Sequence, residues 1–79
     1  MKTKELNAKS QNKDVLNYMI EHGSITSMDA FMDLGITRLS GRIYDLKRLG
    51  YGIKSTMEKA LNKRGKEVKY ARYTLVKED

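Results

Sequence analysis

An α+β domain, three helices followed by a two-stranded β-hairpin, is what this sequence predicts. Apolar residues recur at helical spacing from Val15 as far as Leu49. Beyond Gly50 the period changes, and "YGIKSTME" and "EVKYARYTLV" alternate in the manner of strands. Glycines at 23, 35, 50 and 65 stand where one element has to stop and the next begin. A chain of 79 residues fits one domain with a thin core. That size leaves no room for a large enzyme cleft beside a scaffold.

Residues 1–9 read as a polar, flexible N-terminal arm. Ser10 is placed to cap a first helix over 11–22, its oxygen accepting an orphan backbone N–H. Val15, Leu16, Met19 and Ile20 make the apolar face of that helix, and Gly23 ends it. "SIT" at 24–26 is a short strand around Ile25. Thr26 then caps a second helix, with Asp29 three residues on as an Asp version of the capping box. Ala30, Phe31 and Leu34 form its inner face, and Gly35 stops it after about two turns. Ile36 and Thr37 make a tight connection, with Thr37 as the next cap. A third helix over 38–49 carries Leu39, Ile43, Leu46 and Leu49 toward the core, and Gly50 terminates it.

In the hairpin, Ile53 and Met57 share one face and Ala71, Tyr73 and Leu75 another. "ALNKRGK" is the polar turn between the strands, a long basic tip around Gly65. Residues 77–79 are a flexible tail. A short helix, a few connecting residues and a longer helix make a helix-turn-helix. The hairpin that follows is a wing, and "SIT" supplies its third strand, which an isolated hairpin would lack. The expected architecture is a winged helix-turn-helix in the order helix, short strand, helix, helix, strand, strand, with the folded domain spanning 10–76.

The formal charge is +6, and its distribution says more than its total. Residues 1–22 hold four Lys/Arg and three Asp/Glu; residues 23–36 hold none and two; residues 37–79 hold twelve and five. The segments are therefore +1, −2 and +7, and the excess lies in the third helix and the hairpin. Such a surface favours a polyanion. No apolar run reaches the roughly 18 residues of a membrane span, and no apolar stretch follows the first lysines as in a secretory signal. A cytoplasmic, nucleoid-associated protein with no membrane partner is the expectation. There is no cysteine, so neither a disulfide framework nor a thiolate zinc site is available. His22, the one histidine, sits at a helix end, and Asp29 and Asp33 fit a solvated, capping role. No cofactor and no metal is expected, and no constellation of residues supports an enzyme.

If Leu39, Ile43, Leu46 and Leu49 face inward, the rest of the third helix is available to a ligand. Its leading half offers Thr37, Arg38, Ser40, Gly41, Arg42 and Tyr44, as a helix entering the major groove requires. Arginine takes guanine O6 and N7 with its fork, or clamps a phosphate. Lys47 and Arg48 follow, either on phosphates or complementing the helix dipole. Gly41 has two readings, since a glycine there costs about 1 kcal/mol relative to alanine: close approach to a DNA backbone, or close packing against a neighbouring helix. Arg42 also has two: a DNA contact, or a scaffold residue tied to Asp45 three positions on. In the wing, spanning 59–67, Lys63, Arg64 and Lys66 surround Gly65. Arg72, between Ala71 and Tyr73, turns away from the core and can flank the third helix or DNA.

The stretch "ITSMDAFMDLGITRLSGRIYDLKRLGYGI", followed by "KYARYTL", resembles a family of small winged helix-turn-helix proteins of bacteriophages and prophages. The resembling residues are Thr26-Ser27, Asp29-Ala30, Leu34-Gly35, Arg38-Leu39, Arg42-Ile43, Asp45-Leu46, Gly50 and Ala71-Arg72-Tyr73. The likeness covers about 11–76 and implies a DNA-binding role. The tip "LNKRGKEV" departs from the family in being longer and more basic. The expected function is double-stranded DNA binding, sequence-tolerant or moderately specific, by a transcriptional or architectural regulator. A single domain reads few base pairs, so a homodimer or a cooperative assembly on DNA is expected. The alternative is a module that binds a host or phage protein and inhibits or joins nucleic-acid machinery. RNA is a weaker candidate, because no stacking platform is evident.

Overall fold

The structure is a computed structural model that describes residues 4–76, with side chains from residue 9 onward. Helix α1 spans Lys4–His22. It starts well before Ser10, so Ser10 lies inside the helix and does not cap it. Nothing between Lys4 and Lys9 interrupts a helix: there is no glycine, proline or β-branched residue there. The expected arm therefore becomes helical from Lys4; residues 1–3 and the tail at 77–79 lie outside the described residues. Val15 and Met19 are buried and Leu16 packs at their edge, but Ile20 is exposed. Ile20 stands roughly 140° around the helix from Val15, at the far margin of the apolar face. Gly23, at φ +92°, ends α1 by donating its N–H to the Met19 carbonyl at 2.7 Å.

Strand β1 (Ser24–Thr26) leads directly into α2 (Ser27–Asp29), which continues as a π-helical turn over Ala30–Leu34. The capping box forms as expected. The Asp29 N–H donates to Thr26 Oγ1 at 3.1 Å, and the Thr26 N–H donates to Asp29 Oδ2 at 3.0 Å. The π turn was not legible in the sequence. Its wider bonding, i to i+5, keeps Ala30 and Leu34 aligned inward and swings Phe31 out, to 56% exposure. This corrects the expected inner face. Gly35 closes the turn at φ +69°, and the Ile36 N–H then reaches the Ala30 carbonyl at 3.0 Å. That bond sets Ile36, more than a connector, fully into the core.

Helix α3 runs Leu39–Arg48. Arg38 occupies the cap position and no side chain caps it, so Thr37 is not the cap that the sequence suggested. Leu39, Ile43 and Leu46 are buried, whereas Leu49 is 68% exposed. Ten residues from Leu39 is not a whole number of turns, and Leu49 stands roughly 80° off the apolar stripe. Strands β2 (Ile53–Leu61) and β3 (Glu67–Leu75) form the hairpin, and β1 adds to the other edge of β3, giving the order β1-β3-β2. Ile25 pairs with Tyr73, Ile53 with Leu75 and Met57 with Ala71, which places these six on one face of the sheet. Only the proximal part of that face meets the core. The strands are about 30 Å long and outrun it, so Met57 is exposed. The result is a flat molecule, 40 × 39 × 19 Å, with the hairpin projecting from the helices. Among the described residues no helix is long and apolar enough to cross a membrane.

Candidate nucleic-acid interface

The buried stripe of α3 decides which of its residues face outward. At about 100° per residue, Gly41, Tyr44 and Arg48 lie on the side opposite Leu39, Ile43 and Leu46. Ser40 and Lys47 flank them on one side; Arg38, Arg42 and Asp45 lie on the other, toward α1. Thr37, Arg38, Ser40, Tyr44, Lys47 and Arg48 are all exposed. The Arg48 guanidinium lies 5.8 Å from the centre of the Tyr44 ring, one turn away, within cation–π range. No side chain caps α3; in its first turn the Gly41 N–H donates to the Arg38 carbonyl at 3.1 Å, and a helix N-terminus without a side-chain acceptor favours an anion.

Gly41 resolves one of the two readings open in the sequence. Its φ is not positive, and a methyl placed on it would meet no other group within 4 Å. Neither backbone strain nor a tight neighbour requires glycine here, so packing against another helix is not the reason for it.

Arg42 is drawn away from the outer face. Its Nη2 lies 3.3 Å from Asp45 Oδ2, the same oxygen that accepts from Asn12 Nδ2 at 3.3 Å. Only 20% of the Arg42 side chain is exposed. Asp45 thus ties Arg42 and α3 to α1, which is the scaffold reading of Arg42. Asn12 gave no signal in the sequence, because a polar residue on a helix is ordinarily solvated.

The hairpin tip is shorter than expected. Ala60 and Leu61 belong to β2, so the turn is only 62–66. Asn62 organises it: its Oδ1 accepts the N–H groups of Arg64 at 2.9 Å and Lys66 at 3.0 Å. The Asn62 carbonyl accepts the Gly65 N–H, and the Asn62 N–H donates to the Lys66 carbonyl, both at 2.9 Å. Gly65 takes φ +81°, which favours glycine. Lys63, Arg64 and Lys66 are all exposed on this turn. Just behind it, Lys59 and Lys69 stand directly opposite one another across the strands, an unfavourable pairing that Glu67 relieves at 3.9 Å from Lys59.

Arg72 is held apart from this tip. On the sheet face turned away from the core, its Nε donates to Glu58 Oε2 and its Nη1 to Ser24 Oγ, both at 3.0 Å. Tyr70 donates its hydroxyl to the other Glu58 oxygen at 2.8 Å. Hydrogen bonds from Tyr70 and Arg72 hold the Glu58 carboxyl below its ordinary value, and the Glu58 bond raises Arg72. The guanidinium therefore clasps β1, β2 and β3 together; it does not flank α3 as an open basic group. A second local bond lies on the far side of α1, where Tyr18 donates to Asp33 Oδ2 at 2.7 Å. That bond, to a carboxylate, pushes the Tyr18 hydroxyl up to about 12.

Among the described residues, carboxylates engage Arg42, Lys59 and Arg72. Arg38, Lys47 and Arg48 on α3, and Lys63, Arg64 and Lys66 on the tip, make no ion pair with a described residue. Six exposed cations thus sit on the outer face of α3 and on the hairpin tip. A family model described as a winged helix-turn-helix domain matches residues 10–78. No curated protein and no solved structure matches the chain.

Proposed function

Since the chain belongs to the winged helix-turn-helix domain family, whose fold suggests DNA binding, we propose that it grips double-stranded DNA with α3 in the major groove and the hairpin tip on the backbone. A helix with its side chains is about 10–12 Å across, a fit for a groove about 12 Å wide. The observation that carries this reading is the set of six exposed cations on α3 and the tip that pair with no carboxylate among the described residues. Arg38, Ser40 and Tyr44 are the base-edge candidates, with Thr37 and Gly41 at the closest approach. Lys47, Arg48, Lys63, Arg64 and Lys66 hold phosphates. Arg42 and Arg72 act at one remove, fixing α3 and the hairpin. The role is that of a regulator of transcription or DNA architecture in a phage or prophage, acting in the bacterial cytoplasm.

Two variants test the division of labour. Arg38→Ala should cost about 1–3 kcal/mol on the preferred sequence and less on random duplex. Neutralising Lys63 and Arg64 together should weaken every duplex alike and lower the salt slope by about 2. Folded variants that bind DNA as the parent does would overturn the assignment of these residues.

A further inference from the structure

Two exposed apolar patches border the proposed DNA-facing surface, the first beside Thr37 and the second beside Arg48, and they carry opposite charge. One is the outer face of α2 and its π turn, where Met28, Phe31 and Met32 are all more than half exposed. The segment 23–36 that bears it contains Asp29 and Asp33 and no lysine or arginine. The other patch is a groove of about 400 Å³ between α1 and the end of α3, floored by Leu16, Leu49 and Tyr51 and rimmed by Lys9 and Lys13. Arg48 borders the adjoining cleft together with Asp45, whose carboxylate is engaged by Arg42 and Asn12. The two lie toward opposite ends of α1: Tyr18 bonds Asp33 beside the first, and Asn12 bonds Asp45 beside the second. An acid-edged apolar ridge is a poor surface to lay on phosphates. It matches, in charge and in apolar character, a lysine-rimmed apolar groove that the same chain carries.

We propose that copies of this chain associate head to tail, the α2 face of one copy seated in the α1–α3 groove of the next. Because the two patches are different surfaces, the contact is heterologous and generates a ring or an open row, not a two-fold pair. The patches are small, so the association is weak in free solution and is strengthened when neighbouring copies are held on one polyanion. The contact itself does not require DNA, so it is testable on the protein alone.

Sedimentation velocity from about 10 µM to about 1 mM at low salt is the measurement. The parent protein should show a sedimentation coefficient that rises with concentration. Met32→Lys puts a cation on the acidic ridge, and Lys13→Glu puts an anion on the basic rim. Each variant alone should associate at least about tenfold more weakly, through like-charge contact. An equimolar mixture should recover association, since each junction then joins opposite charges. Met28→Lys replaces the first variant if thermal melting shows it unfolded. A parent that stays monomeric throughout, a mixture that fails to recover, or a loss confined to one variant would overturn the proposal; the last outcome would indicate a two-fold contact of one patch with itself.

Discussion

Gly41→Ala separates the internal needs of the fold from those of its ligand. Glycine inside a helix costs about 1 kcal/mol relative to alanine, and Gly41 has no compensating reason within the molecule. The added methyl meets nothing within 4 Å, and the backbone there is not left-handed. The substitution should therefore stabilise the domain by about 0.5–1 kcal/mol, raising Tm by roughly 2–8 °C for a chain of this size. Gly41 also lies opposite Leu39, Ile43 and Leu46, on the line of α3 that comes nearest to the groove in the proposed docking. A methyl inserted into a close contact costs about 1–3 kcal/mol, or roughly five- to 150-fold in affinity. The assays are thermal or urea denaturation, and fluorescence anisotropy with a labelled duplex. A variant that is more stable and binds less tightly is the predicted result. A more stable variant that binds as well as the parent would refute the view that DNA approaches α3 at Gly41. A less stable variant would refute the reading of open space around it.

Arg42→Ala should behave oppositely to Arg38→Ala: it removes the partner of Asp45, lowers stability by about 1–2 kcal/mol in urea denaturation, and weakens DNA binding less. The reverse order of effects would show that Arg42, not Arg38, is the contact. The Glu58 clasp predicts a pH dependence. Glu58 is held below its ordinary 4.5 in the folded state, so its contribution is present above 4.5 and is lost as pH falls through the lower folded value. Carboxyl NMR should place its midpoint below 4.5, and Glu58→Gln should lower hairpin stability at neutral pH and flatten its acid sensitivity. A midpoint at or above 4.5 would contradict the clasp.

Much of this fold is written in local patterns. The Thr26–Asp29 capping box, the stops at Gly23 and Gly35 and the alternation in both strands depend on nearest neighbours, and each is where the sequence suggests. What was not legible depends on geometry between elements. The π turn rotates Phe31 outward, and no residue type announces it. Leu49 and Ile20 are apolar at near-helical spacing, yet each falls just outside the arc that the rest of the chain covers. Ile36 becomes a core residue only because the Gly35 turn aims it inward. For the candidate site, residue type identified the basic helix and tip, but not which cations are already engaged. Arg42 and Arg72 look like Arg38 and Arg64 in the sequence. Asp45, three positions on, was a legible partner for the first; only the folded chain adds Asn12 to that pair and brings Glu58 and Ser24 to the second.

The central claim, that the exposed cations of α3 and the hairpin tip hold a duplex, is tested most directly by the salt dependence of binding. Anisotropy with a short mixed-sequence duplex, titrated between about 50 and 200 mM salt, reads the slope of log K against log salt. Six phosphate contacts predict a slope of roughly −5, and a loss of about a thousandfold over that range. A slope near zero, or no binding at the lowest salt, would contradict the account.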